Sequence, residues 1–252
     1  MSMSVSGGRG SARRVSATRV RAIYRKEFRE YRRNGSIVAT MAAIPLGIVI
    51  FPLIEVLALP ASGASALLNG DPLVILLGIP AIVPSIIAGY AVVGEREQGT
   101  LEPVLTTPIR REELLLAKAL AALVPSLAVS YAVYAFFLIC TGLFAQPAVA
   151  SAVLQVPDLL VQVFFTPLLA LLSIWIGIAI STRSSDVRVA QQLSALAGLP
   201  ILLVAYLIAF DVIHATLGLA LGIGAALVVL DSIGWRIVSA AFDRERLITG
   251  TR

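Results

Sequence analysis

Few residues in this chain are of types that do chemistry, and most crowd into one stretch. Gly94 to Glu113, GEREQGTLEPVLTTPIRREE, holds five Glu and three Arg between two long apolar runs. Several chemistries fail at once. The pair Glu112–Glu113 resembles a protease carboxylate pair, but His214 is the only histidine, too few for such a metal site. Cys140 is the only cysteine, so neither an intrachain disulfide nor a cysteine-based metal cluster can form. No Gly-Lys dipeptide occurs, which removes a Walker-type phosphate loop. The GASA at 63–66 is only a weak echo of an intramembrane serine nucleophile element. The sequence therefore predicts no catalytic centre, no metal and no cofactor of its own. What remains is the triplet Glu95-Arg96-Glu97 with Gly99, Thr100, Leu101 and Glu102 after it and Pro108 further on. Alternating charges beside a turn suit recognition and mechanical linkage, not bond making.

The block has its own local logic. Gly99 can take positive φ and turn the chain. Thr100 can cap a short helix through 101–105, with Leu101, Val104 and Leu105 as its apolar contacts. Thr107 then reads as an N-cap and Pro108 as the first helical residue, where a missing N–H costs nothing. Glu112 and Glu113 fall near that N-terminus, where the helix dipole favours anions. The expected form is span, turn, short helix across the membrane surface, turn, span. It is either a solvated loop with good caps or a rigid knob able to carry force.

The elements that hold this block are apolar. Of the 252 residues 58% are hydrophobic and 14% charged, and mean hydropathy is +0.91. A bilayer crossing needs about 20 mostly apolar residues. Six runs qualify, near 37–59, 73–93, 114–144, 158–181, 191–211 and 215–234. The fold class expected is an all-α polytopic membrane protein of six transmembrane helices. Of the 20 Lys and Arg, 19 fall before the first run, between the second and third, between the fourth and fifth, or after the sixth, and Lys118 lies in the first turns of the over-long third run, on the same side. The alternate connections hold none. By the positive-inside rule both termini are cytoplasmic. The net charge of +5 thus reads as membrane orientation, not nucleic-acid binding.

Ahead of the first run, Val20, Ile23, Tyr24, Phe28 and Tyr31 recur with helical spacing among Arg and Lys. The pattern predicts an amphipathic helix over 18–35 in the membrane interface, apolar face down. It is a topology anchor or a surface on which a partner rests. Residues 1–17 read as a disordered cytoplasmic tail, 36–234 as the six-span domain with a coupling segment at 94–113, and 235–252 as a cytoplasmic tail.

GEREQGTLEPVLTTPIRREELLLAK resembles the motif of exporter-type (type-2) ABC transporter permeases. There an acidic-basic-acidic triplet, Gly-Thr and a later Thr-Pro precede the third span. The six spans, the basic helix before them and STRSSDVRVAQQ after the fourth agree in pattern. The resemblance implies a permease subunit in the cell membrane, paired with a second, identical or homologous permease and with two cytoplasmic ABC ATPase subunits; separately, Arg outnumbers Lys 18 to 2, which points to a prokaryotic genome. ATP hydrolysis would belong to those partners and drive efflux. It also implies that Glu95, Arg96, Glu97, Gly99, Thr100, Leu101, Glu102 and Pro108 couple the permease to its ATPase. One departure is the short connection Phe210 to Ala215, so that any of the outer helical excursions common in the family must be cut from the apolar run itself. The other reading is a non-transporting scaffold or anchor that recruits a cytoplasmic partner.

Within the spans, Pro80 and Pro84 should kink the second, which marks it as a candidate lining of a transport path. Glu55 lies about 27 Å along the first helix from Ile37 at 1.5 Å per residue, near the outer interface. It reads as a boundary residue, with a transport role as the alternative. Asp231 reads as marking the inner end of the sixth span, and Asp71, Asp158 and Asp211 outer ends. Gly218 and Gly222 form a GxxxG pattern that suits close helix packing.

Overall fold

A computed structural model describes residues 16–68, 72–99, 110–210, 212–214 and 216–241. All regular structure among them is helical. The helices are α1 (Ala17–Arg33), α2 (Gly35–Ala58), α3 (Gly78–Tyr90), α4 (Val93–Glu97), α5 (Arg111–Phe144), α6 (Pro147–Val153), α7 (Val156–Arg183), α8 (Val187–Ala209) and α9 (Leu217–Ala241). Six stretches are long and apolar enough to cross a bilayer: α2, Pro72–Glu97, α5, α7, α8 and α9. These are the six expected spans.

The second span is the axis of the bundle. Residues 72–95 are buried without a break. It opens as a 3-10 segment, Pro72–Leu77, and becomes α-helical at Gly78. Pro80 thus sits in the first α-turn, where its lack of an N–H is harmless. Pro84 lies inside the helix. Hydroxyls gather there: Ser173 donates to the Ala81 carbonyl at 2.7 Å, and Ser85 to Ile82 at 2.7 Å and to Ser194 at 3.0 Å. Such side chains let a membrane helix tolerate proline. Both prolines are packed against neighbouring spans. The fourth span comes closest. A Cβ on Gly177 would stand 2.4 Å from the Ser85 carbonyl oxygen, so only glycine lets the two backbones meet there.

The connections sort as the charge pattern requires. At one end α1, the 2–3 connection and the 4–5 connection bond to one another, as described below. At the other, α6 packs on the 3-10 segment Ala61–Leu68. Val149 and Val153 are buried there, in one core with Leu59 and Ala64.

Four expectations change. The third span's helix begins at Arg111, not Pro108, because Arg110 is extended and Glu113 reaches back to accept its N–H at 3.2 Å. The sixth helix runs to Ala241, so Asp231 lies within it and does not mark its end. The apolar stripe of α1 is not left for lipid. Ile23, Tyr24 and Tyr31 pack into the protein core, and α1 lies along the start of α5. Gly218 and Gly222 are exposed, and a Cβ on Gly222 would meet nothing within 4 Å, so this GxxxG packs on no other helix among the described residues.

Candidate functional site

The helix of the second span stops at Tyr90 and resumes as α4 at Val93. Two side chains from other spans seal the break. Lys118 of α5 donates to the Ala91 carbonyl at 2.7 Å. Ser181 of α7 accepts from the N–H groups of Val92 and Val93, each at 3.0 Å. A hydroxyl has two acceptor lone pairs, and here both meet backbone donors.

This offset points Glu95 inward, leaving it 1% exposed. A carboxylate so buried needs cations beside it. One oxygen lies 2.8 Å from Lys118 Nζ, the other 2.5 Å from Lys26 Nζ of α1. Glu27 Oε1 lies 3.2 Å from both lysines, and Glu30 is 3.7 Å from Lys26. Two lysines are thus shared among three carboxylates, joining α1 and the second and third spans. Burial works against the Lys26 charge, but Glu27, Glu95 and Glu30 outweigh it and hold its pKa above the ordinary lysine value. The raised folded value means that Lys26 contributes stability in full below the unfolded lysine pKa, about 10.4. The contribution fades only as pH rises beyond it. Burial, then Glu27, Glu95 and Glu30, push the Tyr31 phenol well up, so it stays neutral beside them.

Arg96 and Glu97 turn the other way. Arg96 donates to the carbonyls of Ser184 at 2.9 Å and Thr182 at 3.4 Å. Glu97 accepts the Val187 N–H at 2.9 Å. Asp186 takes the next two, Arg188 at 2.7 Å and Val189 at 3.0 Å. Together the two carboxylates cap the fifth span, where orphan donors and the helix dipole favour anions. Gln98 donates to the Tyr90 phenol oxygen, and Tyr90 donates to Glu30 at 3.2 Å. Gly99 then turns the chain with φ of +66°, as expected of that glycine.

A second tie holds the start of α1. Glu113, fully buried, accepts the Ser16 N–H at 2.8 Å and pairs with Arg19 at 3.0 Å.

The structure therefore brings Glu95, Arg96, Glu97 and Gly99 into one hub. Thr100, Leu101, Glu102 and Pro108 lie outside the described residues. Pro80 and Pro84 are buried further along the same span. Glu55 is half-buried in the last turn of α2, away from the hub. Sequence reasoning missed Glu27, Lys118, Ser181 and Asp186. Two carried a signal: Glu27 falls on the apolar stripe of α1 between Tyr24 and Tyr31, and Lys118 interrupts LLLAKALAAL.

Six apolar spans with a charged hub at one end define a polytopic helical membrane protein whose connections are braced to its spans. The chain belongs to the ABC-2 family of transporter proteins, whose family model matches residues 21–233. That makes it a multi-pass permease of the ABC transporter class. No curated protein matches the chain in sequence.

Proposed function

We propose that this chain is the membrane-spanning subunit of an ATP-driven ABC exporter. A separate cytoplasmic ATPase would hydrolyse ATP, and two permease chains, identical or homologous, would form the membrane unit with two ATPases. The basic end of the bundle faces the cytoplasm in this reading, with both termini on that side of the cell membrane. Residues 100–108 form the contact with the ATPase. Glu95, Arg96 and Glu97 act differently: they fasten that contact to the bundle.

One observation carries the reading. The turn leading into residue 100 is tied at the same time to α1, the third span and the start of the fifth span. Force applied beyond Gly99 has no slack to take up before it reaches those elements. A solvated loop has no need of such bracing.

The test is copurification with a candidate ATPase encoded beside this chain, before and after replacing 100–108 with a Gly-Ser linker. The proposal requires loss of the complex and of membrane-dependent ATP hydrolysis, with the permease still folded. An unchanged complex that still hydrolyses ATP would overturn it.

A further inference from the structure

The outer part of the seam between the fourth and sixth spans is open. A cavity of about 330 Å³ lies there, bounded also by the second and fifth spans. Its walls are apolar, among them Val74, Phe165, Ala205, Ile223 and Leu227, and Asp158 is the one charged residue lining it among the described residues. Pockets that take small organic ligands begin near this size and share this make-up, mostly apolar with a few placed polar groups.

A second carboxylate lies on the same seam. Asp231 comes one helical turn beyond Leu227 on α9. Both its oxygens are shielded from solvent, and neither has a hydrogen-bond partner among the described residues. Asp158 and Asp231 form no ion pair among those residues either. A carboxylate at membrane depth is costly and usually sits opposite a cation. No basic side chain lies in the span facing Asp231 except Arg183, at the far end of α7. Glu27, Glu30, Glu95 and Glu113 are each paired with lysine or arginine, whereas this seam has no cation of its own among the described residues.

We infer that the cavity between the fourth, fifth and sixth spans binds a lipophilic organic cation, its apolar part against Phe165 and Ile223 and its charge toward Asp158 or Asp231. The inference rests on the permease reading and names the substrate class for it. A neutral lipid chain would fill the apolar walls but leave Asp231 unmatched; Asp158, in the first turn of α7, has at least the helix dipole. An anionic substrate would be repelled by both.

The chain carries its own probe of the site. Its two tryptophans, Trp175 and Trp235, stack edge to face at 5.5 Å. Gly234, one turn from Asp231, packs on Trp175. Pyridinium cations quench indole fluorescence. The permease alone, in nanodiscs of zwitterionic lipid, is titrated with N-hexylpyridinium and with neutral 4-hexylpyridine at pH 8.

Saturable quenching by the cation is expected, and only a linear partition response from the neutral compound. Asp158→Asn or Asp231→Asn should raise the midpoint roughly tenfold or more, the loss expected when one partner of a desolvated charge pair is removed. Ala220→Phe keeps both carboxylates but fills the cavity, and should abolish saturation. Linear quenching by the cation in the native chain would overturn the inference. So would equal midpoints for both compounds, or midpoints unmoved in all three variants. No ATPase is present, so failure here leaves the coupling proposal standing, and failure of copurification leaves this result standing.

Discussion

Lys118 Nζ stands 2.8 Å from Glu95 Oε2, and neither side chain is more than 2% exposed. The lysine comes from the third span and the glutamate from the turn that ends the second. The connection between those spans is therefore locked at its base. Removing one member of a buried pair leaves the other charge stranded, at a cost of about 3–5 kcal/mol. Glu95→Gln and Lys118→Met should each lower the thermal midpoint in detergent or nanodiscs. The double variant should cost less than the sum of the two, because no charge is left alone. Additive losses would show that the pair is not a unit.

Ser181 closes the break in the second span by accepting two N–H groups at once. Ser181→Ala leaves both donors buried without that acceptor. Each unsatisfied group costs about 1–3 kcal/mol. Thermal denaturation should show the loss, and Ser181→Thr, which keeps the hydroxyl, should recover part of it.

At Gly177 the fourth span touches the backbone of the second. Gly177→Ala places a methyl 2.4 Å from a carbonyl oxygen, so the helices must separate. Overpacking of this kind costs about 1–3 kcal/mol. Gly222→Ala, on the open face of α9, should hold or raise the midpoint, since alanine favours the helix and meets nothing there. The contrast between the two glycines is the measurement.

Arg96 holds the carbonyls of Thr182, in the last turn of α7, and Ser184, just beyond it, with one planar guanidinium. Arg96→Lys keeps the charge but loses that fork. With the ATPase bound, membrane-dependent ATP hydrolysis should fall while permease folding and ATPase association persist. Loss of association would instead place Arg96 on the partner surface.

Much of the architecture was legible because it rests on two coarse signals. Apolar run length and the one-sided distribution of Arg and Lys fix six spans and which connections share an end. The hub was half legible. Charge alternation singled out Glu95 to Glu97, and Gly99 announced its own turn. Nothing in the local sequence says that the helix breaks after Tyr90 and rotates Glu95 inward. That depends on Lys118 and Ser181, which arrive from spans distant in the chain. The α1 stripe was read as facing lipid because lipid and protein interior reward the same apolar residues; only Glu27 on that stripe hints at a protein partner. Asp231 was taken as the end of a span because hydropathy falls there. A helix, however, runs on while its backbone bonds are made, whatever medium surrounds it.

The division of labour around Gly99 is the centre of the account: residues before it brace the bundle, and residues after it meet the ATPase. Site-specific crosslinking tests it directly. In a Cys140→Ala background, Glu102→Cys and Glu97→Cys are each labelled with a photoactivated crosslinker in membranes that contain the ATPase; Glu97 is exposed and open to the reagent. The account predicts a permease–ATPase adduct from residue 102 and only intrachain products from residue 97. An ATPase adduct from residue 97, or none from residue 102, would contradict it.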